Sequence, residues 1–250
     1  MTDDFPSRDP DQKCLDRILS REFDTMPPPE ATRLNEQGWV ELQVALNDDL
    51  ERSLLALAGT LGDVVPSRPR SGLIDRLRPA SVESTRLPSL SRRYGTGAFP
   101  LHTDTAHWPT PARYILVGCL HPGRKSRATL LIRFQSLPFD LREDVLLRSG
   151  VFLVRNGSAS FYSNILSDAR PYVRFDPGCM SPATKDGHEA NRILQKRIAE
   201  NCPTRIVWTQ GKLVILDNWK LLHGRESAEE DEDRVLLRVL VMSQAEKGKA

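Results

Sequence analysis

The sequence is short of several things, and each shortage excludes something. Its four cysteines, Cys14, Cys119, Cys179 and Cys202, lie far apart and form no C-x-x-C pair, which argues against a zinc ribbon, a thioredoxin-like motif or a disulfide framework. No apolar run near its start resembles a secretory leader, so the thiols read as reduced and the protein as cytoplasmic. Long hydrophobic stretches are missing too: "YILVGCL" at 114–120 falls far short of the roughly 20 residues that a membrane span requires. Net charge is only +2, from 35 Lys and Arg against 33 Asp and Glu, too weak a field to make nucleic acid the expected partner. Histidine is scarce, with five in the chain, and two of them fall inside "FPLHTDTAHWP" at 99–109.

What is there describes a globular protein. The 250 residues are 39% apolar and 27% charged, enough for a real core and suited to one domain of generous size. Residues 1–33 are polar and broken by "MPPPE", where consecutive prolines are expected to forbid helix and favour an extended linker. The preceding "KCLDRILSREF" has the pattern of a short amphipathic helix, and the main domain is expected over 34–250. "GWVELQVAL" alternates like a strand. "NDDLERSLLALAGTLGD" reads as a helix with Leu50, Leu54, Leu57 and Leu61 on one face, a capping box from Asp48 to Glu51 and a stop at Gly62. Residues 66–93 suggest a long loop with one strand at "SGLIDRL".

After Phe99 come six β-like runs: "RYILVGCL", "RATLLIRF", "SGVFLVRN", "SASFYSNIL", "TRIVWTQGKLVILDN" and "RVLLRVLVM". One helix, "DGHEANRILQKRIAEN", interrupts them. The expected class is mainly β with flanking helices, a sandwich or barrel.

In "HTD", His102 and Asp104 share a face if the segment is a strand, and both can then reach one metal ion. His107 joins them only if the chain turns at Trp108-Pro109. A third ligand is offered by His223 in "LDNWKLLHGRES". Two histidines and one carboxylate on one face of an octahedron suit non-haem Fe(II), which keeps positions open for a co-substrate and dioxygen. Further on, Arg234 and Arg238 share a face of an otherwise apolar run, so either the strand is an edge with that face in water or the guanidiniums await carboxylates.

Together, "HTD", "LDNWKLLHGR" and "RVLLR" resemble the Fe(II)- and 2-oxoglutarate-dependent dioxygenases of the TauD/TfdA (taurine dioxygenase, clavaminate synthase-like) family. The resemblance implies a double-stranded β-helix core of the jelly-roll, cupin-like kind. It also implies iron held by His102, Asp104 and His223, which are the catalytic set. By the family's spacing, Arg234, eleven residues after His223, and Thr129 hold the 5-carboxylate of 2-oxoglutarate; Arg238, fifteen after, lies near the oxoglutarate or substrate carboxylate. With O2, such an enzyme releases succinate and CO2 and hydroxylates an unactivated C–H bond of a small molecule. The carboxylate at 104 argues for hydroxylation over halogenation, since related halogenases carry a small residue there.

For the substrate, the resemblance nominates Arg92, Arg93, Tyr94, Phe99, Asn156, Phe161 and Arg174, and suggests an amino-acid-like or other carboxylate-bearing molecule. His107, Trp108 and Arg225 adjoin the ligands and read as loop packing or supporting residues. His121 and His188 read as surface residues. Two other readings stand beside this one: a zinc hydrolase on the same three side chains, and a non-catalytic module that binds 2-oxoglutarate.

Overall fold

The computed structural model describes residues 28–45, 49–79, 94–125, 127–229, 231 and 233–243, apart from the side chain of Asn156. The tract "KCLDRILSREF", Asp48, Arg92 and Arg93 lie outside the described residues.

The first element corrects the expectation for the proline tract. Helix α1 (Pro28–Gln37) begins within "PPPE", and its prolines occupy the first turn, where a helix has no use for a backbone N–H and their fixed φ is already helical. The expected boundary at residue 33 therefore falls inside a helix, and Leu34 on its far side is buried in the core. Strand β1 (Trp39–Gln43) follows. Helix α2 (Leu50–Leu61) is capped one residue later than the spacing suggests: Asp49, not Asp48, accepts the N–H groups of Glu51 and Arg52. Gly62 ends it, at a point where a Cβ would meet the Met242 carbonyl oxygen at 2.2 Å.

Strands β2 (Asp63–Val65), β3 (Ile74–Leu77), β4 (Phe99–His102), β5 (Tyr114–His121) and β6 (Thr129–Arg133) come next. Helix α3 (Leu141–Ser149) was not expected from periodicity, because its exposed Leu141 and Val145 blur the apolar stripe; the Asp140/Glu143 capping box marks its start. Then follow β7 (Phe152–Asn156), β8 (Ala159–Ser163), β9 (Met180–Pro182) and helix α4 (Lys185–Ala199), which is the helix expected there. Strands β10 (Thr204–Ile206), β11 (Lys212–Asp217), β12 (Leu221–Arg225) and β13 (Val235–Met242) complete the chain.

The strands form a large antiparallel sheet in the order β1-β11-β5-β13-β2, with β3 also paired to β13, and a smaller one in the order β10-β6-β12-β4. Between them Ile115, Val117, Leu131, Val214, Leu221, Leu236 and Leu240 make a shared core, the jelly-roll arrangement expected. Helix α2 covers the outer face of the large sheet, packing Leu54, Leu57 and Ala58 on Leu116, Leu237, Val239 and Val241. Helices α3 and α4 and the small sheet β8-β7-β9 cover the outer face of the other, where Ile132 and Leu222 meet Leu147, Phe152 and Leu194. Strand β13 is therefore no edge. It lies between β5 and the β2, β3 pair, is buried on both faces, and turns Leu236, Arg238 and Leu240 toward the gap between the sheets.

Candidate functional site

The histidines meet across the smaller sheet. His102 is the last residue of β4, His223 is central in β12, and the two are direct partners in the ladder, with ring centroids 4.5 Å apart. Gly224 makes this approach possible, since a Cβ there would lie 2.7 Å from the Phe99 carbonyl oxygen and 3.2 Å from the Leu101 nitrogen. Alternation in β12 turns Leu221, His223 and Arg225 toward the gap, while Leu222 faces the outer core. Nδ1 of His102 lies 2.9 Å from the Pro100 carbonyl oxygen; a carbonyl only accepts, so Nδ1 is the donor and Nε2 is the nitrogen left for another partner. Nε2 of His223 is buried with no partner in the protein. Burial, with the neighbouring His102, brings the His223 pKa down to about 3 against the pull of Asp104, so this ring is neutral at ordinary pH.

Asp104 lies beyond the strand, so the same-face argument for "HTD" does not apply. The chain leaves β4 after His102 and turns at Thr105, whose φ is +54°, earlier than Trp108-Pro109. Asn218 holds this turn: its Oδ1 accepts the Asp104 N–H at 2.9 Å, and its Nδ2 donates to the carbonyls of Asp104 at 3.0 Å and Ala112 at 2.8 Å. The Asp104 carboxylate accepts the Thr105 N–H at 2.9 Å and Nη1 of Arg238 at 2.6 Å. Burial opposes its ionisation, but Arg238, the two imidazoles and the Thr105 N–H outweigh that and bring its pKa to about 2.

Among the described residues no three ligating side chains converge on one point, and one oxygen of the Asp104 carboxylate is engaged by Arg238. By donor chemistry the set still fits a divalent ion. Two imidazoles stand side by side, one with an orphaned buried nitrogen and the other with Nδ1 turned to a carbonyl, next to a carboxylate held ionised.

The expected oxo-acid residues divide into two groups. Arg234, just before β13, is 4% exposed; its Nη1 donates to the Arg127 carbonyl at 3.2 Å, two residues short of Thr129, and its Nε has no partner. Thr129 opens β6, pairs in register with Arg225 of β12, and accepts the Trp208 indole N–H at 3.0 Å, which leaves its own O–H to donate. Arg238 is occupied differently. Asp75 of β3 takes its Nε and Nη2 at 3.2 and 2.8 Å, and Asp104 takes Nη1, so two protein carboxylates satisfy the guanidinium expected to hold an oxoglutarate or substrate carboxylate.

Of the residues nominated for substrate, Arg93 and the side chain of Asn156 lie outside the described residues. Arg174 is a correction. It is 1% exposed and donates to the carbonyls of Ala106, Trp108 and Pro109 and to the Tyr172 hydroxyl, so it clasps the loop after Asp104 instead of facing a ligand. Phe161 lies under that guanidinium, 5.1 Å from ring centre to Cζ, and packs on the outer core. Phe99 is the platform for Arg225, whose Cζ stands 3.8 Å over its ring, and Tyr94 packs against Phe99 at 6.1 Å. His107 lies near Asp104 and Asp176 on the turn, packed edge-on to Trp108; His121 and His188 are exposed. Asn218 and Asp75 were missed; no spacing rule links an asparagine after one strand to a turn 114 residues earlier.

Comparison with known proteins bears on the fold. Residues 141–240 match the family described as "Taurine catabolism dioxygenase TauD, TfdA family". No curated protein matches significantly. Among solved structures, an asparagine oxygenase in complex with Fe(II), 2S,3S-3-hydroxyasparagine and succinate superposes with a TM-score of 0.70 at 17% identity, covering 86% of this chain and 78% of that one. The non-heme iron oxygenase OrfP, in complex with Fe, succinate and (3S)-hydroxy-L-Arg, gives 0.68 at 18% identity over 86% and 78%. PvcB from Pseudomonas aeruginosa gives 0.65 at 19% identity over 86% and 79%. At such identities the likeness shows a shared fold. The segment 141–240, from helix α3 into strand β13, is the part of the chain similar to the TauD/TfdA family.

Proposed function

We propose that this protein is an Fe(II)- and 2-oxoglutarate-dependent oxygenase, a single domain that hydroxylates an amino-acid-like or other carboxylate-bearing small molecule. The carrying observation is the pairing of His102 and His223 on adjacent strands beside an ionised Asp104, with the Nε2 of His223 buried and unclaimed. In the balanced reaction, substrate, 2-oxoglutarate and O2 give hydroxylated substrate, succinate and CO2. Bound iron would supply the activation of dioxygen coupled to decarboxylation of the oxo acid; the chain supplies placement.

Each placement role falls to named groups. The Pro100 carbonyl and the β4–β12 ladder orient the two imidazoles, and Asn218 fixes the backbone that presents Asp104. Arg238 keeps Asp104 ionised and oriented, and Asp75 holds Arg238 in place. Arg234 and the Thr129 hydroxyl are the groups available for the distal carboxylate of the oxo acid. The core strands exclude water around them. The neighbouring structures with hydroxylated asparagine and arginine bound support an amino acid as the substrate class. Among the described residues Cys119, Cys179 and Cys202 are free thiols, in keeping with a cytoplasmic enzyme.

The test is succinate formation from 2-oxoglutarate by protein supplied with Fe(II) and ascorbate, screened against a panel of amino acids. Turnover is expected to depend on iron and to vanish in His102→Ala. Succinate formation that survives that substitution would refute the assignment.

A further inference from the structure

Beside Arg234 stands another buried guanidinium, 9% exposed, at Arg225 of β12. The protein satisfies only part of it. Nη2 donates to the carbonyls of Gly95 at 2.9 Å and Gly97 at 2.6 Å, the flat face lies on Phe99, and Nε is buried with no acceptor. No carboxylate among the described residues is hydrogen-bonded to Arg225 or Arg234. The nearest acidic charge on Arg234 is Asp231, and one of its oxygens already accepts the N–H groups of Arg124 and Lys125. Two buried guanidiniums against one carboxylate leave a positive surplus out of water, and such a surplus is stable when an anion completes it.

We propose that Arg225 is a second binding residue for the distal carboxylate of the 2-oxo acid, acting beside Arg234 and Thr129; the inference rests on the oxygenase reading above. Position supports it. Arg225 faces Thr129 directly across the β12–β6 ladder and follows His223 by two residues on the same face, about 6.8 Å along the strand. An extended five-carbon diacid spans about 5 Å from end to end, so a molecule gripped at His223 by its oxo-acid head brings its far carboxylate to the level of Arg225 and Thr129. The same side chain holds Gly95 and Gly97, which lead into the strand that ends at His102. Arg225 thus joins the far end of the oxo acid to the segment that carries the first histidine.

The test compares two oxo acids titrated anaerobically into the Fe(II)-loaded protein, by calorimetry and by the visible absorption of the chelate. They are 2-oxoglutarate and 2-oxopentanoate, which has the same head and a methyl in place of the distal carboxylate. Arg225→Met is expected to weaken 2-oxoglutarate by about ten- to hundredfold, the worth of a charge-assisted hydrogen bond, and to leave 2-oxopentanoate within about threefold. Equal losses for both, or no loss for either, overturn the proposal and leave Arg225 a clasp for Gly95 and Gly97. Should the methionine variant not fold, Arg225→Lys carries the same comparison, with a selective loss of about tenfold expected because the ammonium cannot form the fork. Binding of neither acid by the native protein defeats the oxygenase reading itself, an outcome distinct from a failure confined to the variants.

Discussion

His102 and His223 stand opposite each other on one rung of an antiparallel ladder, and the residue next to that rung, Gly224, has the Phe99 carbonyl where a side chain would begin. The closeness of the imidazoles is thus a property of the backbones. Gly224→Ala is expected to push β12 from β4, lowering stability by about 1–3 kcal/mol in urea unfolding and weakening divalent-metal binding at least about tenfold. An alanine variant that keeps native metal affinity would show that the ladder does not set the site.

Arg174 donates to three carbonyls of the loop beyond Asp104, those of Ala106, Trp108 and Pro109. Arg174→Met leaves those carbonyls without their donors, each worth about 1–3 kcal/mol when buried, so stability should fall by about 3 kcal/mol or more. If Arg174 touched substrate instead, the variant would keep its urea midpoint and raise KM alone. The two readouts separate the roles.

The metal-free protein should lose stability in acid over a window set by His223. Its ring titrates at 6.5 ordinarily and at about 3 in the fold, so the unfolded chain binds the proton more readily. This contribution is complete above pH 6.5 and fades as pH falls toward 3. Urea midpoints measured in chelator at intervals across that range should decline, and His223→Gln should flatten the decline. An unchanged slope in that variant would contradict the burial argument.

Much of this was readable from residue order, because alternation and punctuation report strands directly. The six β-like runs after Phe99 and the helix at "DGHEANRILQKRIAEN" follow from local periodicity, which also put Arg234 and Arg238 on one face but left open whether that face met water. Prolines mislead at "MPPPE" because their effect depends on position: forbidden in a helix interior, they suit its first turn. Helix α3 hid because its face is thinly apolar, though Asp140 and Glu143 were there to signal it. At the site, residue type and spacing indicated His102, Asp104 and His223, but could not foresee that Asp75 and Asp104 would share Arg238, or that Arg174 would turn to the loop. Those contacts cross 65 to 163 residues of chain, and nothing in local order encodes them.

The β4–β12 rung joins positions 102 and 223, 121 residues apart, and so closes nearly half the chain. Contacts of that range form late, after the loop entropy has been overcome. A partly folded chain holds one histidine and a carboxylate in one place and the other histidine elsewhere, and neither half grips an ion tightly. On the proposed function the ladder acts as an interlock: the reactive ion would be seized only once the sheets that keep its chemistry from the rest of the chain are closed around it.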